Sequence, residues 1–184
     1  SKLTGLIDDT DTSILSNITT IKIRKSFTPT LASSTKYDIY FRNSLFNPHS
    51  GHNSAAGGIL SSTGFKVTGS DFEMFLDDDG NGNVRRYYLS SGIRTYANET
   101  QGTIDYATGQ ITLNSLNVAS ISNIRGATST IIELTVTPDS NDVVPVRDQI
   151  VEIDIANSTI NVTADSFVGG SADAGVGYTT TSSY

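Results

Sequence analysis

Residues 76–88, LDDDGNGNVRRYY, set Asp77, Asp79 and Asn81 at alternate positions ahead of Gly82. That is the first half of the calcium-loop pattern D-x-[DN]-x-[DN]-G, in which side-chain oxygens ligate a hard cation. A complete EF-hand loop also needs a bidentate carboxylate at its twelfth position and a helix on each side. The twelfth position here is Tyr88, and the flanks DFEMFL and VRRYYL alternate with period two. The stretch therefore reads first as a hairpin loop, with Gly80 and Gly82 available for positive φ. Asp77, Asp79 and Asn81 stand as a weak calcium candidate.

His49 and His52, three apart in NPHSGHN, would supply half of a zinc or nickel site. No other histidine occurs, so the remaining ligands would have to be carboxylates from distant strands, and a solvated loop is the simpler reading. The same two residues are the only conventional bases for a Ser or Thr nucleophile, and no G-x-S-x-G elbow is present. Paired carboxylates for glycoside hydrolysis stay open, because folding rather than spacing sets such pairs. Neither a Walker A sequence nor a G-x-G-x-x-G entering a helix after a strand is found. The expectation is a protein that is not an enzyme and needs no cofactor. Asn17, Asn98, Asn157 and Asn161 each begin an N-x-[ST] sequon, most simply by chance in so Ser- and Thr-rich a chain.

The elements that would position these residues are mostly strands. In TIKIRKSF, Ile21 and Ile23 alternate with Lys22 and Arg24; in KYDIYFRN, Tyr37, Ile39 and Phe41 alternate with Asp38, Tyr40 and Arg42. Further strand-like pieces are GFKV, DFEMFL, VRRYYL, GTIDY, QITLNSL, STIIELTVTP, QIVEIDI and STINVTA. Residues 43–58 have no sustained period and predict a long loop. In IDYATGQITL, three residues, Ala107, Thr108 and Gly109, separate two alternating runs, and Gly109 falls where a left-handed bulge position is required. A break is expected over 138–142, with Pro145 barring a regular central ladder. Before the strands, DDTDTSILSNIT places Ile14, Leu15 and Ile18 on one face of a short helix behind Asp or Thr caps.

The predicted fold is mainly β, antiparallel hairpins in a sandwich-like or mixed β domain, with a short N-terminal helix and an irregular C-terminal tail. Residues 1–20 read as helix and linker from a larger parent chain. Residues 21–168 read as a β assembly domain, whole or as two lobes dividing near residue 98. Residues 169–184, small and polar, read as a flexible tail with too little apolar surface to order alone.

With 184 residues the chain is long enough to bury ~70% of its unfolded surface. Hydrophobic residues make up 36%, so the core should be modest. There is no cysteine, which removes disulfides and thiolate chemistry. A net charge of −7 disfavours a phosphate-backbone partner, and no run of ~20 apolar residues exists to span a bilayer. Neither nucleic acid nor a membrane is an expected partner.

The stretches DDTDTSILSNITTIKIRKSFTPTL, YDIYFRNSLFNPHSG, FLDDDGNGNVRRYY, GTIDYATGQITLNSLN and TPDSNDVVPVRDQIVEIDI together resemble the C-terminal part of the baseplate wedge protein of T-even-type contractile-tailed phages, with baseplate J-like relatives. The resemblance implies a structural virion protein of the tail baseplate, assembled in the host cytoplasm. It implies association with itself, as homodimer or ring, and with other wedge and hub proteins. It carries no catalytic or cofactor residue. Interface candidates are Arg86, Tyr87 and Tyr88, together with edges near Pro29 and Pro145, because Arg and Tyr concentrate in interface centres and Pro marks strand edges. The alternative is a β-sandwich receptor- or carbohydrate-binding module of a tail or adhesin protein; the absence of Trp weighs against the flat aromatic platform that sugars favour.

Overall fold

The structure, a computed structural model, describes residues 5, 6, 9, 10, 20–52, 58–140 and 154–161. Ten strands follow in chain order: β1 (Ile23–Phe27), β2 (Thr35–Tyr40), β3 (Ser61–Ser62), β4 (Phe65–Val67), β5 (Met74–Asp78), β6 (Asn83–Ser90), β7 (Ile93–Asp105), β8 (Gln110–Leu116), β9 (Val118–Ile121) and β10 (Ile132–Val136). They build a seven-stranded antiparallel sheet in the order β2-β8-β7-β6-β5-β4-β9 and a three-stranded sheet in the order β1-β10-β3. The fold is mainly β, as expected, and the large sheet curls into a half-barrel. Asn117 alone separates β8 from β9, so one extended segment pairs with β7 and β2 at one end of the sheet and with β4 at the other.

Period-two alternation fills the space between the sheets. Ile39, Phe65, Leu76, Val84, Ile111, Leu113 and Val118 of the large sheet meet Ile132, Leu134 and Val136 of the small one in a single buried cluster. Burying each such side chain contributes ~1.5–3 kcal/mol.

The chain divides into compact units at residues 1–146 and 147–184. Residue 98, where a lobe boundary was expected, lies instead within the continuous strand β7. The turn after β7 takes four residues rather than three: Asp105 pairs with Gln110, and Tyr106 joins the loop because its side chain turns inward. Gly109 takes the expected left-handed conformation, φ +67°, and an added Cβ there would lie 2.3 Å from the Asn43 carbonyl oxygen.

Of the expected N-terminal helix, residues 11–19 lie outside the described residues. One helical bond, from the Asp9 N–H to the Gly5 carbonyl at 2.9 Å, forms earlier in the chain. Pro145, most of QIVEIDI and the tail over 169–184 also lie outside the described residues. Where QIVEIDI ends, Ile155–Asn157 form a single 3-10 turn, and Ser158 to Asn161 of STINVTA are in no strand. Ile155 and Ile160 are 85% and 90% exposed.

Candidate interaction surface

The acidic run is dismantled by strand geometry. Asp77 and Asp78 are consecutive residues of β5 and point to opposite faces of the sheet. Asp78 is fully buried, and it accepts hydrogen bonds from the Ile59 and Leu60 N–H groups at 2.7 and 2.8 Å and from the Tyr106 hydroxyl at 2.6 Å. Burial and that bond to Asp78 push the Tyr106 hydroxyl far above the usual phenol range.

Asp79 turns back on its own loop. Its carboxylate accepts from the Asn81 N–H at 2.8 Å, the Asn83 N–H at 3.0 Å and the Asn83 side-chain amide at 2.7 Å. Gly80 and Gly82 have φ +75° and +100°, as a plain hairpin loop requires. Asn81 Oδ1 accepts from the Ser50 hydroxyl at 2.7 Å. Asp77, Asp79 and Asn81 thus serve three different sets of partners. Among the described residues, no group of three or more His, Asp or Glu side chains is placed to hold a metal ion. His49 and His52 do meet, with Nε2 of the first 3.0 Å from Nδ1 of the second, and His52 packs edge-on against Phe46.

Asp77 anchors a cluster on the outer face of β5, β6 and β7. It is 1% exposed, yet it lies under a lid of cations and rings rather than in the core. Arg85 Nε donates to Asp77 Oδ1 at 2.9 Å; Arg94 Nη1 and the Tyr96 hydroxyl donate to Oδ2 at 2.8 and 2.9 Å. The Arg85 guanidinium lies 4.3 Å over the Tyr96 ring, and that of Arg94 lies 4.7 Å over the Tyr87 ring. Phe75 completes the group against Tyr87. Burial pushes the Asp77 carboxyl up, against the pull of Arg85 and Tyr96.

Register distributes the three interface candidates differently from the expectation that RRYYL is exposed. Leu76 pairs with Arg86, Phe75 with Tyr87 and Met74 with Tyr88. Arg86 therefore shares the inner face with Leu76, where its Nη1 donates to Gln101 Oε1 at 2.7 Å and its Nε is buried without an acceptor among the described residues. Burial lowers its pKa. Tyr87 is 9% exposed inside the outer cluster, and Tyr88 packs on the core while its ring stacks 4.4 Å from Phe72. Side chains left to solvent are Phe72 at 56%, Leu89 at 51% and Ile93 at 71%. Pro29 is itself buried, just after β1, an outermost strand of the three-stranded sheet.

Sequence reasoning missed Arg94, Tyr96 and the first half of β7. The signal was Ser91-Gly92 between two alternating runs. Ser90 pairs with Ile93, and Ser91 and Gly92 both have positive φ, 51° and 81°, which is the two-residue hairpin turn that Ser-Gly permits.

Comparison of the chain with protein-family models, with curated proteins and with solved structures gave no match.

Proposed function

We propose that this chain is a structural assembly domain of a phage tail baseplate, the C-terminal part of a wedge subunit that associates with itself to join wedges into a ring around the hub. The observation that carries the reading is the outer face of β5–β6–β7. Arg85, Arg94 and Asp77 are spent on one another, the Arg and Tyr planes are locked by stacking, and Leu89, paired with Arg94, stands exposed beside them. Rigid Arg and Tyr side chains next to an exposed apolar one suit a shape-complementary protein contact. The resemblance of the sequence stretches supports the same reading, and the ring and hub partners come from that resemblance alone.

Sedimentation equilibrium of the chain over a wide concentration range tests it. The expected result is a concentration-dependent dimer or larger species that is the same in calcium and in chelator. Leu89, rather than the packed Tyr87 and Tyr88, is the side chain to replace by Ser, with weaker association expected. A strict monomer at every concentration would overturn the reading.

A second reading has one observation in its favour. An open groove of about 440 Å³ is bordered by Asn47, Ser50, Asn81 and Asp105, polar side chains of the kind that hold sugar hydroxyls. A carbohydrate-binding module would show saturable binding to glycans through this groove, lost when Ala107→Trp fills it.

A further inference from the structure

β2 is an outermost strand of the large sheet, paired on one side with β8. Its backbone phase follows from two facts: the Phe41 N–H donates to the Gly109 carbonyl at 2.8 Å, and the register Tyr37↔Leu113, Ile39↔Ile111 continues to that pair. Bonded pairs recur every second residue in an antiparallel ladder, so the N–H and C=O groups of Tyr37 and Ile39 face β8. Those of Lys36, Asp38 and Tyr40 face outward. The register shift between Thr35 and Tyr37 puts the extra residue on β8, where Ser115 has φ +48°, so β2 keeps its own alternation. The Tyr40 carbonyl accepts from the Lys25 ammonium, and Phe27 and Thr30 meet only the ring and hydroxyl of Tyr37. Among the described residues, the outward N–H and C=O groups of Lys36 and Asp38 are left at an open edge of the sheet.

The side chains on the same two residues are of opposite charge and exposed, 59% for Lys36 and 34% for Asp38, with Nζ 3.1 Å from Oδ2. A second β2 laid antiparallel beside the first, about a twofold axis through Tyr37, sets Lys36 opposite Asp38 of the other copy and Asp38 opposite its Lys36. Both members of each pair have outward backbone groups, so the two pairs supply four N–H to C=O bonds, and both project from the same face. Moving the axis to Lys36 or to Asp38 would set like charges face to face. Charge thus selects one register out of three.

We propose that β2 is a self-pairing edge: two copies of this chain join their large sheets through antiparallel β2–β2 pairing centred on Tyr37, with Lys36 and Asp38 fixing the register. This deepens the assembly reading and rests on it, adding a twofold contact distinct from the outer face of β5–β6–β7. A closed ring built from twofold contacts needs two such surfaces on each subunit. Another open stretch of backbone, residues 93–98 of β7, suits this role less. Its pairing with β6 shifts register on both sides of Arg86, the extra residues lie on β7 itself, and bulges blunt an edge.

The test uses two single reversals, Lys36→Glu and Asp38→Lys, and their mixture. Each reversal alone sets two like-charged pairs across the axis and should weaken dimerisation about tenfold or more by sedimentation equilibrium. In an equimolar mixture the introduced glutamate of one chain faces the introduced lysine of the other, and the retained Asp38 faces the retained Lys36. A mixed dimer should therefore form with near wild-type affinity. Both sites are exposed and each variant's circular dichroism should match the wild type. If the wild-type chain associates and either reversal leaves its affinity unchanged, or if mixing restores nothing, the β2 contact is wrong while self-association stands. If the wild-type chain stays monomeric throughout, both fall.

Discussion

At the scale of single residues, Asp78 matters more to the fold than any residue of the acidic run that resembles a metal ligand. It is fully buried, and its two oxygens take three donors from two separate loops, the chain before β3 and the turn after β7. Gly58 lets those loops close, since a Cβ at that position would lie 1.8 Å from Asp78 Oδ1. Removing the carboxylate strands the Ile59 and Leu60 N–H groups and the Tyr106 hydroxyl, each at a cost of about 1–3 kcal/mol when buried without a partner. Asp78→Ala should therefore lower unfolding stability by at least about 3 kcal/mol in urea titration. A loss under about 1 kcal/mol would mean that water replaces the carboxylate. Asp77 differs in that Arg94 stands 39% exposed and can turn to solvent when its partner is removed.

At the scale of elements, two hairpin loops are tied by their own aspartates. The Asp105 carboxylate accepts from the Ala107 and Thr108 N–H groups and from the Thr108 hydroxyl, and Asp79 does the same work in the β5–β6 loop. The Thr108 hydroxyl is the largest cause that holds the Asp105 carboxyl below its usual range. Partial burial opposes the shift at Asp79, where the bonds from Asn83 and Asn81 nevertheless bring the carboxyl down. A carboxyl lowered by folding adds stability above its unfolded value, near 3.9, and loses it as pH falls through the folded value. Asp77, raised by burial, contributes in the opposite sense. Melting temperature should hold near neutral pH and fall below about pH 4, and Asp105→Asn should make that fall shallower. An unchanged slope in the variant would remove Asp105 as a contributor. These loops also mark what was legible in the sequence. Alternation and Gly positions revealed the β5–β6 and β7–β8 hairpins, because period and turn chemistry are local. The bulges in β7, the four-residue turn and the inward side of Arg86 were not legible, since each depends on which residue lies across the ladder. The outer cluster was hidden for the same reason: Asp77, Arg85, Arg94 and Tyr96 meet only once three strands are in register.

At the scale of the whole molecule, net charge and local charge pull the proposed dimer in opposite directions. Each chain carries −7, so two copies repel over distances comparable to the Debye length, ~30 Å at 0.01 M salt. The Lys36–Asp38 pairs across the β2 axis act at contact distance and lose strength only when screening reaches a few ångströms, near 1 M. Dimer affinity should therefore rise from 0.01 M to about 0.15 M salt as repulsion between the chains is screened, and fall again toward 1 M as the cross-axis pairs weaken. The double reversal Lys36→Glu with Asp38→Lys keeps the net charge and restores both pairs, so its salt profile should follow the wild type. Sedimentation equilibrium across that range separates the alternatives. A steady rise to 1 M would assign the contact to apolar burial, such as that of Leu89, whereas a maximum at intermediate salt would assign it to the charged β2 edge.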